Sequence, residues 1–154
     1  MIHRPLTARA ASAALAAALV AGALAGCSAD ATARGSLSQS AGTAAASARS
    51  AGLVLGLHQK DRILGTVVDT GLSDAADKLA AEARAVATMT ALGGIGASRD
   101  RVLHDIRAAQ DEVASAQRAV AANRDSGNAL QQQRRELDRL AQQLDAASKR
   151  LESR

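Results

Sequence analysis

Residues 101–122 read RVLHDIRAAQDEVASAQRAVAA, and this stretch decides the fold class. Val102, Ile106, Ala109, Val113, Ala116 and Val120 follow one another at steps of four and three. That period places all six on one face of an α-helix and leaves the charged residues on the other. The steps form a heptad-like seam of small and β-branched side chains, as used where helices pack side by side or in a coiled coil. Ser98 is the expected N-cap, and Asp100 stands in the first turn, where the helix dipole favours negative charge. A helix over 99–122 would be ~36 Å long.

The same period continues on both sides. Towards the C-terminus, Asn123-Arg124-Asp125-Ser126-Gly127-Asn128 is a run of turn-forming residues. Beyond it Leu130, Leu137, Leu140, Leu144 and Leu151 mark a helix over about 129–152. The seam also continues in register through Asn123 and Gly127, so one helix of ~50 residues is the alternative to a hairpin. The hairpin is favoured because it lets the valine and leucine seams bury each other. Towards the N-terminus, Gly93, Gly94 and Gly96 signal a stop and a loop. Before it Leu64, Val68, Leu72, Ala75, Leu79, Ala83 and Val86 mark a helix over about 62–89, supported by Asp74, Lys78 and Glu82 four apart on its wet side. Leu37, Ala41, Ala44, Ala48 and Leu55 indicate a further helix over about 37–59, weakened by Gly42, Gly52 and Gly56. The expectation is an all-α domain over 37–154, built of antiparallel helical hairpins as a small up-and-down bundle.

Composition limits what such a domain can do. The 154 residues contain no Phe, Tyr or Trp, one Cys and one Pro, and about a quarter are alanine. Basic residues are almost all arginine, so part of the composition reflects a GC-rich codon usage. A core without aromatic rings is assembled from Leu, Val, Ile and Ala, which bury less area per residue. Sugar platforms, single-strand stacking and cation cages lose their usual side chains. The formal charge of +4 falls to +2 when Arg4 and Arg9 are set aside, and charges of both signs alternate along the chain. No basic block dominates, which argues against nucleic acid as a partner.

The first 27 residues are organised differently. Met1–Arg9 is short and positive, Ala13–Ala25 is uncharged and apolar, and Leu24-Ala25-Gly26-Cys27 follows. This is the n-region, h-region and small-residue layout of a secretory signal. The apolar run is shorter than the ~20 residues a membrane span needs. Leu24-Ala25-Gly26-Cys27 resembles a bacterial lipobox. The resemblance implies that diacylglycerol is attached to the Cys27 sulfur, that the chain is cut between Gly26 and Cys27, and that the new amino group is open to acylation as well. The sole cysteine stands where the lipobox requires it. Residues 27–36, small and polar, are expected to be a flexible tether. Together with Asp69-Thr70-Gly71-Leu72-Ser73-Asp74-Ala75 and Arg107-Ala108-Ala109-Gln110-Asp111, these features resemble small alanine-rich helical lipoproteins of high-GC Gram-positive bacteria. That resemblance implies a helical fold and the extracytoplasmic face of the cell membrane, and no activity.

The chain holds few residues in an arrangement that chemistry would need. His58 and His104 have no second histidine at metal-ligand spacing, and His104 stands four after Asp100, as a surface ion pair would. Asp61, Asp69, Asp74 and Asp77 scatter around helices beside Lys60, Arg62 and Lys78. Gly93-Gly94-Ile95-Gly96 lacks the strand before and the Lys-Ser/Thr after that a phosphate loop requires. Arg134-Arg135 is offset by Glu136 and Asp138. No catalytic residue, metal ligand or cofactor site is expected. The expected function is a lipid-anchored, non-catalytic module that contacts a protein partner or a second copy of itself. The candidate interaction seam is Val102, Ile106, Val113, Val120, Leu130, Leu137, Leu144 and Leu151. The alternative is a carrier of a small ligand or lipid, with an apolar groove between the first two helices lined by Leu53, Leu55, Leu57 and Val67.

Overall fold

A computed structural model describes the backbone of residues 8–90, 93–122 and 127–153, and the side chains of 29–90, 94–122 and 128–153. The described residues form four α-helices, α1 (Ala8–His58), α2 (Gly65–Thr88), α3 (Gly96–Ala121) and α4 (Gly127–Glu152), with a 3₁₀ turn at Gly93–Ile95 before α3. The described residues contain no strand. Each helix packs on the next, and α4 closes the ring on α1 with the most extensive of these contacts. All neighbours run antiparallel. Ser38 of α1 meets Ser148 of α4, and further along Arg49 meets Asp145. Gln117 of α3 reaches Ser73 of α2, and Gln133 of α4 reaches Ser115 of α3. The molecule is an up-and-down four-helix bundle, all-α as its periodicity indicates.

The core follows the apolar stripes. α1 contributes Leu37 and Leu55 with Ala41, Ala44, Ala45, Ala48 and Ala51 between them, all fully buried. Alanine adds little area but lets a facing helix approach closely. α4 supplies the bulk through Leu130, Leu137, Leu140, Leu144 and Leu151. α2 buries Val68, Leu72, Ala75, Leu79, Ala83 and Val86, and α3 buries Val102, Ile106, Ala109, Val113 and Ala116. A polar clasp sets the register of α1 on α4. The Ser38 hydroxyl lies 3.0 Å from the Ser148 hydroxyl, 3.1 Å from the Ser148 carbonyl oxygen and 3.0 Å from the Glu152 carboxylate. With Ser148 donating to it, the Ser38 hydroxyl donates onward, so the buried oxygens are satisfied.

Four features differ from the expectation. Residues 28–36, expected to be a flexible tether, continue α1 as helix. Alanines at 29, 31 and 33 are strong helix formers, and Arg34 bonds to Asp30 one turn back at 2.8 Å. Ala29, Ala31, Thr32, Gly35 and Ser36 stay exposed, and the buried core begins at Leu37. Leu64 is 75% exposed and not part of the α2 stripe. It is the extended N-cap of a helix that begins at Gly65, with no side-chain cap. Ser98 is not the N-cap of α3. The 3₁₀ turn, seated by buried Ile95, leads straight into helix at Gly96. Val120, at the last turn of α3, is only partly buried. The 123–128 turn lies largely outside the described residues, but α3 and α4 are separate antiparallel helices, which decides for the hairpin over one long helix.

The end of α1 is a defined stop. The Arg62 amide donates to the Leu57 carbonyl and the Asp61 amide to the His58 carbonyl. These are the two bonds of a Schellman cap, with Asp61 in the left-handed position at φ 52°. Glycine usually holds that place, and Asp tolerates it better than most residues.

Candidate functional site

The candidate seam is closed within the molecule. Val102, Ile106, Val113, Leu130, Leu137, Leu144 and Leu151 all belong to the bundle's own buried core, with Val120 at its edge. This corrects their reading as an interaction surface: side chains that the other helices already cover offer nothing to a second chain without unfolding. Any partner must use the outside of the helices.

The four residues assigned to a carrier groove point three ways. Leu55 is fully buried in the core. Val67, half exposed, lies with Val54, Thr66, Thr70 and Gly71 in an open depression of about 370 Å³ between α1 and α2. Leu53 and Leu57 face the other way, into a groove between α1 and α4. No single groove gathers the four.

That α1–α4 groove has the most distinctive chemistry on the surface. It is open, about 360 Å³, and its side-chain walls are Arg49, Leu53, Leu57 and Lys60 on one side and Arg134 and Asp138 on the other. Leu53 is 64% exposed. Its floor is bare backbone at Gly52 and Gly56. A Cβ on Gly56 would stand 3.2 Å from an Arg134 guanidinium nitrogen, and one on Gly52 would stand 3.2 Å from the Asp138 carboxylate. The two glycines therefore let these α4 side chains lie directly across α1. Arg134 Nε is buried there without a hydrogen-bond partner among the described residues. Arg49 is shared with Asp145 at 3.2 Å, and Lys149 reaches the same carboxylate at 3.1 Å. These cations, Lys149 first, hold the Asp145 carboxyl below its ordinary value. Along α1 alone, Gly52 and Gly56 stand out only as weak points in a helix. Their four-residue spacing, Gly52-Leu53-Val54-Leu55-Gly56, was the available signal.

The other titratable groups stay local. His104 is exposed on α3, and Asp100 pairs with Arg99 at 2.8 Å and not with His104. Asp74 and Lys78 stand 3.9 Å apart on the exposed face of α2. Glu136 binds Arg139 one turn on, which lowers the Glu136 carboxyl. Across the α3–α4 face, partial burial raises the Glu112 carboxyl, and the Glu136 charge adds to the rise. A smaller cavity of about 200 Å³ opens at the other end of the bundle, between the start of α3 and the end of α4, lined by Ser98, Arg101, Val102, Ala147, Arg150 and Leu151. Among the described residues no group of three or more His, Cys, Asp or Glu could hold a metal ion. Leu24, Ala25, Gly26 and Cys27 lie in α1, with side chains outside those described. No described helix is long and apolar enough to cross a membrane.

No protein-family model, curated protein or solved structure matches this chain.

Proposed function

We propose that the chain is a non-catalytic helical module, anchored by lipid on Cys27 at the extracytoplasmic face of the cell membrane, that works through contacts with another protein. The observation that carries the anchoring is Leu24-Ala25-Gly26-Cys27 at the end of a short apolar run, with the chain's single cysteine as its last residue. Each buried lipid methylene contributes about 0.8 kcal/mol, so the two chains of a diacylglycerol hold firmly where one holds marginally. The bundle suits the role of a head carried by such an anchor. Among the described residues its buried core begins at Leu37, ten residues beyond Cys27, and the intervening helix would give ~15 Å of separation. Its apolar seams are closed, so it can stand in water on its own.

Replacing Cys27 with Ala tests the anchor. The unaltered chain should take up radiolabelled palmitate and sediment with membranes. The variant should take up none and lose its mature, membrane-bound form. A variant that still yields mature, membrane-bound protein would overturn the proposal. A carrier role has less support, because Leu53, Leu55, Leu57 and Val67 do not share a groove.

A further inference from the structure

We infer that the α1–α4 groove is a docking site for an acidic, apolar-faced helical segment of a partner protein. The inference deepens the protein-contact reading and rests on it, but is independent of lipid on Cys27. Three properties of the groove select this occupant. The first is the order of its lining. Arg49, Leu53 and Leu57 stand four apart on one face of α1, spanning ~12 Å, and Lys60 stands in the turn just beyond. Cations thus flank an apolar centre at both ends: Lys60 at one, and at the other Arg49, which shares the single Asp145 carboxylate with Lys149 and so leaves that end net positive. A short helix with carboxylates about two to three turns apart and leucine-like side chains between them is the complement. A lipid, with one charged head and a long tail, leaves one of the two cationic ends unmatched.

The second property is charge. Lys60 and Arg134 form no ion pair among the described residues, and Asp138 is the only carboxylate in the lining. The groove is therefore net positive within a chain whose charges are otherwise closely balanced. The third is preparation. The glycine floor holds the Arg134 side chain against α1 with its Nε already out of water. Much of the ordering and desolvation of this arginine is complete before any partner arrives, which favours tight recognition of a carboxylate. Leu53, 64% exposed beside it, supplies the apolar contact. The site also lies at the end of the bundle remote from Leu37, near the α1–α2 turn, and so faces away from the end that leads to Cys27.

The test uses the full chain in nonionic detergent and a fluorescent synthetic helix of about three turns, with glutamates at both ends and leucines between them on one face; a control helix has lysine for each glutamate. Fluorescence anisotropy should show the acidic helix binding at least tenfold more tightly than the control, with affinity falling as salt rises. Lys60→Glu should weaken it about tenfold, and Leu53→Asp should do the same. Both positions are exposed, so the fold is retained, which circular dichroism verifies. Arg134→Gln should also weaken binding. Equal binding of both helices, or binding that Lys60→Glu and Leu53→Asp leave unchanged, overturns the inference. So does self-association in sedimentation that Leu53→Asp abolishes, which would make a second copy the occupant. Capture by phosphatidylglycerol vesicles that the Cys27→Ala chain retains and Lys60→Glu loses would make it a lipid surface. Because the Cys27→Ala chain should bind the acidic helix as well as the unaltered one, a failed anchor and a failed groove give different results.

Discussion

Helix α4 takes part in two interfaces of opposite character. Towards the bundle axis its leucines join Ile106, Val113 and the α1 alanines in a closed core. Along its flank with α1, Arg134 and Asp138 lie over Gly52 and Gly56 in an open groove beside exposed Leu53. The first interface is made by repetition: one apolar residue every three or four positions suffices to specify it. The second is made by two small residues that happen to face two long ones on another helix. The closed seam holds the fold, and the open groove is where chemistry is left available.

The largest effect should come from trading one region against the other. Ile106→Ala removes a fully buried side chain and should cost about 2–5 kcal/mol, read as a fall in the urea midpoint. Leu53→Ala, at the groove, should stay within about 0.5 kcal/mol. Equal costs would mean that the groove is part of the core and not a surface. A smaller effect is expected where the groove ends. Asp61→Gly relieves a left-handed side-chain position in the α1 cap and should stabilise by up to about 1 kcal/mol. A loss of stability would mean that the Asp61 side chain contributes more than its backbone strain costs.

The smallest effect concerns the α3–α4 flank. Glu112 is held above its ordinary value by partial burial and then by Glu136. A carboxylate with a raised folded value binds its proton more tightly when folded. Stability is thus greatest below the ordinary value and falls as pH rises through the raised one. Asp145, lowered by Lys149 and Arg49, acts in the opposite sense: its contribution is present above the ordinary carboxylate value and lost in acid. Glu112→Gln should therefore stabilise the fold slightly at neutral pH, by a few tenths of a kcal/mol because solvent still screens a partly buried side chain, read as a small rise in the thermal midpoint. The gain should vanish in acid. A gain of the same size at both pH values would show that it arises from something other than charge.

Most of the core was legible in the sequence. The stripes on all four helices were readable because a buried helix face repeats with the helix itself. The exceptions lie at helix ends. Leu64 matches the spacing but falls one residue before α2 begins, and Val120 matches it where α3 runs out of neighbours. Ser98 has the chemistry of an N-cap, but buried Ile95 fixes the helix start earlier. The tether was misread because small polar residues suggest a flexible chain, whereas its alanines and the Asp30–Arg34 pair support helix. Of the groove, only the four-residue spacing of Gly52 and Gly56 is visible in the sequence. Gly52, Gly56 and Arg134 acquire meaning only when α1 and α4 are placed side by side, and Arg134 is 78 positions from Gly56. No local period connects them.

Intact-mass spectrometry of the protein extracted from its native membranes reads the lipid anchor itself. The expected mass is that of a chain that begins at Cys27, lacks residues 1–26 and carries a diacylglycerol, with or without a further acyl group. A chain that retains Met1–Gly26, or one whose Cys27 is a free thiol, would contradict it.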